Sequence, residues 1–69
     1  MKISARNVLS GKIKSIIPGT VNDEIVMELS GGDEIVSIIT KASSKSLKLR
    51  KNKKVYAIIK ASNVMIGID

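Results

Sequence analysis

Residues 24–40 read Glu24-Ile25-Val26-Met27-Glu28-Leu29-Ser30-Gly31-Gly32-Asp33-Glu34-Ile35-Val36-Ser37-Ile38-Ile39-Thr40. Ile25, Met27 and Leu29 fall on every second position, the period of a strand with one face turned inward. Ser30-Gly31-Gly32-Asp33 interrupts the pattern, and adjacent glycines supply the positive φ angles of a tight hairpin turn. Residues 34–40 form the returning strand. A hairpin in the middle of the chain predicts a β domain, and both flanks extend the pattern.

Upstream, residues 3–17 read as a long first strand in which Leu9, Gly11 and Ile13 alternate with Ser10, Lys12 and Lys14. A glycine inside a strand signals a bulge or sharp bend, as a barrel needs, so Gly11 is the expected site of one or the other. Ile16-Ile17-Pro18-Gly19 ends the strand on a turn pair. Downstream, the alternation is lost between Thr40 and Leu49. Thr40 or Ser43 is suited to cap a short helix there, with Leu47 facing inward, and Lys48 to Lys54 is a polar loop. Residues 54–60 alternate again, Val55, Ala57 and Ile59 against Tyr56, Ile58 and Lys60. Ala61-Ser62-Asn63 reads as a turn, and Val64, Ile66 and Ile68 align on a last strand over 64–68. Isoleucine and valine total 18 against four leucines, an enrichment that favours strands. The predicted fold is all-β: an OB-like five-stranded Greek-key barrel with one short helix between strands 3 and 4, a single domain over residues 1–69.

A 69-residue chain buries only about 60% of its unfolded surface, which is marginal for independent stability. Disulfides and thiolate metal sites are excluded because the chain has no cysteine. It also has no histidine, the commonest metal ligand and general base. Self-association is the remaining way to bury more apolar surface. No apolar run approaches the ~20 residues of a membrane span, and no signal peptide is visible, so a cytoplasmic location without membrane attachment is expected.

Charge is uneven along the chain. Residues 1–35 hold four basic and five acidic side chains, net −1, whereas residues 36–69 hold eight basic and one acidic, net +7. A basic half suits an anionic partner, whether nucleic acid, a membrane surface or a small anion, or else a solvated lysine surface. Catalysis finds little support. Ser4 and Lys60 are the chemical types of a serine–lysine pair, but nothing brings them together and no third residue orients them. Five of the six acids lie between Asp23 and Glu34, where Glu24 and Glu28 read as an exposed strand face, so no metal site is expected. Lys45, Lys48, Arg50, Lys51, Lys53 and Lys54 place six cations within ten residues, and a basic OB-fold module binding single-stranded nucleic acid is the alternative function. Such modules stack bases on aromatic rings, and Tyr56 is the only aromatic residue. A small oxyanion instead needs positive charge, hydroxyls and free backbone N–H groups, with carboxylates kept out. Three stretches meet that description at strand ends: Ser4-Ala5-Arg6-Asn7, Thr40-Lys41-Ala42-Ser43 and Lys60-Ala61-Ser62-Asn63. Ser and Asn at strand ends also serve as ordinary turn residues.

The same stretches carry a family resemblance. Ile3-Ser4-Ala5-Arg6-Asn7-Val8-Leu9-Ser10-Gly11-Lys12-Ile13 resembles the opening of the molbindins, small molybdenum-pterin-binding proteins related to the TOBE domains of molybdate regulators and transporter ATPases. The similarity continues through Glu28-Leu29-Ser30-Gly31-Gly32 and Ser37-Ile38-Ile39-Thr40, and ends in Ala57-Ile58-Ile59-Lys60-Ala61-Ser62-Asn63-Val64-Met65-Ile66. The resemblance implies an OB-like barrel and a hexamer built as a trimer of dimers, with molybdate or tungstate held between subunits. It implies non-catalytic molybdenum storage and homeostasis, with the metal bound as its oxyanion and no organic cofactor. By position, Ser4 and Arg6 serve from one subunit, and Thr40, Ser43, Lys60, Ala61 and Ser62 from its neighbour. The hydroxyls of Ser4, Thr40, Ser43 and Ser62 donate, Ala61 offers only its backbone N–H, and Lys60 supplies the main charge. The basic stretch Lys45 to Lys54 departs from the acids and glycines that many members carry there.

Overall fold

The computed structural model describes residues 1–69. Four strands form one antiparallel sheet: β1 (Asn7–Pro18), β2 (Asn22–Leu29), β3 (Glu34–Thr40) and β4 (Lys54–Ile59), in the order β3-β2-β1-β4. A short helix, α1 (Lys41–Ser46), joins β3 to β4, and a 3₁₀ turn (Ala61–Asn63) follows β4. The all-β class, the curled OB-like sheet and the helix between the third and fourth strands are as the sequence predicts.

The central strand β1 organises the sheet. Its first half pairs with β4, from Asn7↔Ile59 to Lys12↔Lys54, and its second half pairs with β2, from Gly11↔Leu29 to Pro18↔Asp23. Only Gly11 and Lys12 are flanked on both sides, so a 12-residue strand serves two neighbours in succession and the sheet must coil. The coil is taken up by a bulge. Ile13 pairs with Met27 and Ser15 with Val26, leaving Lys14 as the extra residue. Of the two expectations for Gly11, the bulge lies three residues further on, while Gly11 itself stands where β1 passes from β4 to β2. Gly11 has a different reason to be glycine. A Cβ there would lie 2.4 Å from the Glu28 carbonyl oxygen and 2.9 Å from the Met27 side chain. Gly11→Ala must push two central strands apart, and a loss of about 1–3 kcal/mol is expected in denaturant melts. An unchanged midpoint would show that β2 can move away freely.

The hairpin from β2 to β3 closes through Gly32, with a φ of 93°, while Gly31 stays outside the left-handed region. One glycine rather than two thus supplies the positive φ. Thr40 caps α1 as expected, its side chain accepting from the Ser43 N–H at 3.1 Å. Leu47, expected to face inward, is the C-terminal cap of this six-residue helix and lines an open apolar trough of the sheet, which leaves it 58% exposed. So short a helix turns one position to the interior, and Ser44 occupies it.

The fully enclosed core is small: Ile13, Ile25 and Met27. Between the free edges of β3 and β4 the curled sheet leaves an apolar trough of about 410 Å³, floored by Ile25 and Met27 and walled by Ile35, Ile39, Val55 and Ile59. The expected fifth strand is not formed. Residues 64–68 pair with nothing in the chain, and Met65, Ile66 and Ile68 are about nine-tenths exposed at 92%, 88% and 94%. Their alternation is that of a strand, but the 3₁₀ turn sends them away from the sheet.

Candidate functional site

The β1–β4 pairing decides where the three donor stretches lie. Asn7 is opposite Ile59, and its side-chain amide donates to the Ile59 carbonyl at 3.2 Å. Ser4 and Arg6 therefore run into the sheet at the same end at which Lys60, Ala61 and Ser62 leave it. Ser4, Arg6, Lys60, Ala61 and Ser62 are all exposed. Lys60 is the residue before the 3₁₀ turn, with φ −62° and ψ 132°, and its carbonyl accepts from the Asn63 N–H at 2.9 Å. The N–H groups at the start of such a turn have no partner within it, so those of Ala61 and Ser62 are left free of it as donors. None of the six acids belongs to this cluster, and Lys60 has no ion-pair partner.

Thr40 and Ser43 lie elsewhere. Thr40 pairs with Asn22, and Asp23 pairs with Pro18, so α1 sits at the opposite end of β1. The two ends are separated by the 12 residues of β1. Within one chain the structure brings five of the seven predicted residues to one end and leaves two at the other. The Thr40 hydroxyl donates to Ser43 Oγ at 2.8 Å, so these two exposed hydroxyls form a local pair. Lys41, in the same stretch, is spent structurally. Its ammonium donates to Asp23 Oδ1 at 2.7 Å, fastening α1 to the start of β2. That hydrogen bond holds the buried Asp23 carboxyl below the usual carboxylate range, against the effect of desolvation. Sequence reading overlooked Asp23. No local pattern marks an ion pair formed across 18 positions.

The TOBE domain family matches residues 3–66. The chain belongs to the TOBE family, among the molbindins. A probable molybdenum-pterin-binding protein of Haemophilus influenzae is 46% identical over 69 residues, covering 100% of both chains. The molbindin fold is equally close in solved structures. The molybdate-binding protein of Sporomusa ovata superposes with a TM-score of 0.92 at 41% identity, over 99% of this chain and 100% of that one. The cytoplasmic molybdate-binding protein ModG, with molybdate bound, gives a TM-score of 0.96 at 43% identity, over 100% of this chain and 49% of that one. No helix of this molbindin is long and apolar enough to cross a membrane.

Proposed function

We propose that this molbindin binds molybdate, with tungstate as an equivalent ligand, at sites formed between copies of the chain. It does so without catalysis and serves cytoplasmic molybdenum storage. The observation that carries this reading is the cluster at the Asn7–Ile59 end of the sheet. There one ammonium, hydroxyls and turn N–H groups converge with no carboxylate among them. A dianion gains a charge complement and several neutral donors in such a setting. The resemblance draws Thr40, Ser43, Lys60, Ala61 and Ser62 from a single neighbour, but one chain holds Thr40 and Ser43 at the far end of β1 from Lys60. In this reading Ser4, Arg6, Lys60, Ala61 and Ser62 form one junction, and Thr40 and Ser43 come from a further copy. The full set therefore meets only through assembly.

Two features support assembly, for which a hexamer built as a trimer of dimers is the proposed form. The enclosed core amounts to three apolar side chains, and the trough between β3 and β4 stands open. The chain also carries an apolar C-terminal segment with nothing to pair with. Residues 64–68 of one copy fit the trough of another, their alternating Val64, Ile66 and Ile68 facing its floor.

The nucleic-acid alternative is less well supported. The ring of Tyr56, the one aromatic side chain, already has Lys54 Nζ 5.6 Å from its centroid. A thermal series tests the molybdate reading. A ligand that binds only the native assembly stabilises it by about 2.7 kcal/mol at a hundredfold excess over Kd. Molybdate and tungstate are expected to raise the melting temperature clearly, and equimolar sulfate to raise it little. Equal shifts from all three would reduce the site to a general anion binder.

A further inference from the structure

The outer face of the sheet carries a second arrangement of a different chemical kind. The β1–β4 register sets Lys12 directly opposite Lys54. Like charges facing each other across a ladder repel. Other lysines nearby are engaged: Lys14 with Glu34, and Lys53 with the carbonyls of Leu47 and Lys48. Lys12 and Lys54 have no ion-pair partner, and Lys54 has only the exposed Tyr56 ring 5.6 Å away. Both line an open cleft of about 470 Å³ together with Ser10, Ser30, Asn52 and Glu28. One wall is fixed in place, because Asn52 holds a φ of 71° and donates its N–H to the Ile13 carbonyl at 2.8 Å.

Two ammonium groups, two hydroxyls and an amide make a donor set for a tetrahedral anion. Glu28 changes what that anion must be. Glu28 lies on the outer face as expected, half-buried at the end of β2, and it faces Lys12 from the side away from Lys54. A carboxylate repels a bare dianion, but it accepts a hydrogen bond from an oxyanion that still carries a proton. Near neutral pH inorganic phosphate keeps at least one proton. Sulfate, molybdate and a phosphodiester keep none. We propose that this cleft is a second anion site, taking a protonated tetrahedral oxyanion of the hydrogen phosphate type. Lys12 and Lys54 supply the charge, Ser10, Ser30 and Asn52 donate, and Glu28 accepts the anion's O–H. The site shares no residue with the molybdate cluster, so either can fail without the other.

Amide NMR titration of the full chain tests it, using inorganic phosphate, sulfate and a short single-stranded oligonucleotide. Phosphate is expected to shift residues 10–12, 28–30 and 52–54 saturably, with sulfate at least about tenfold weaker. Lys54→Ala should weaken phosphate about tenfold or more, whereas Glu28→Gln should bring sulfate up to the affinity of phosphate. The proposal is overturned if wild-type protein binds phosphate and sulfate alike, or if phosphate leaves these residues unmoved. Retained preference in Glu28→Gln, or unchanged phosphate affinity in Lys54→Ala, overturns it too. An oligonucleotide that binds here more tightly than phosphate would make the face a nucleic-acid surface instead.

Discussion

Ile66→Asp is expected to convert the assembled protein into monomers at low micromolar concentration and to abolish the stabilisation by molybdate. In the isolated chain Ile66 is 88% exposed, and its burial in a neighbour's trough would contribute about 1.5–3 kcal/mol. An aspartate at that position reverses the sign of the contribution, because a carboxylate cannot be desolvated against Ile25 and Met27 without a partner. In a symmetric exchange the loss counts once per arm, so the dissociation constant rises by several powers of ten. The chain itself should still fold, since residues 64–68 make no sheet contact within it. Analytical ultracentrifugation and circular dichroism together separate dissociation from unfolding. A wild-type monomer would remove the exchange and the interfacial site with it. An Ile66→Asp protein of wild-type mass would remove the exchange alone.

The fate of that segment also shows where sequence reading stops. The central hairpin was legible because its information is local: the period of Ile25, Met27 and Leu29, then a turn of small residues. The Thr40 cap was legible for the same reason. Residues 64–68 have an equally clear period, yet period says only that a segment can be a strand. Whether it pairs depends on an edge, and both free edges lie beyond a turn that directs the chain outward. Gly11 could be read as the site of a bulge or a bend but the two could not be told apart, because the place of a bulge is set by the register of β1 with its neighbours. Nothing within the strand's own sequence encodes that register. The same holds for the candidate site. Each donor stretch was readable as hydroxyl-rich and free of acids. That the first and third share one end, and the second lies at the other, follows from long-range strand pairing alone.

Lys60→Ala should weaken molybdate binding by at least about tenfold, equivalent to 1.4 kcal/mol. Val55, Ala57 and Ile59 turn their half-buried side chains to the trough, so Tyr56, Ile58 and Lys60 project from the other face. Lys60 stands where β4 gives way to the 3₁₀ turn, next to the donor N–H groups of Ala61 and Ser62. Its ammonium has no acid to neutralise it, unlike Lys14 and Lys41. A hydrogen bond from a charged donor contributes about 1.5–3 kcal/mol, and more when a neighbouring subunit closes the site to water. Lys51→Ala is the matched control. It removes the same charge from the exposed loop before β4, where solvent and salt screen it from the cluster, and it should leave affinity nearly unchanged. Lys60→Arg, which keeps the charge but not the point geometry, should fall between them. Calorimetry on the three variants ranks the contributions directly. Equal affinity in Lys60→Ala and Lys51→Ala would move the site away from the Asn7–Ile59 end while leaving the family assignment untouched.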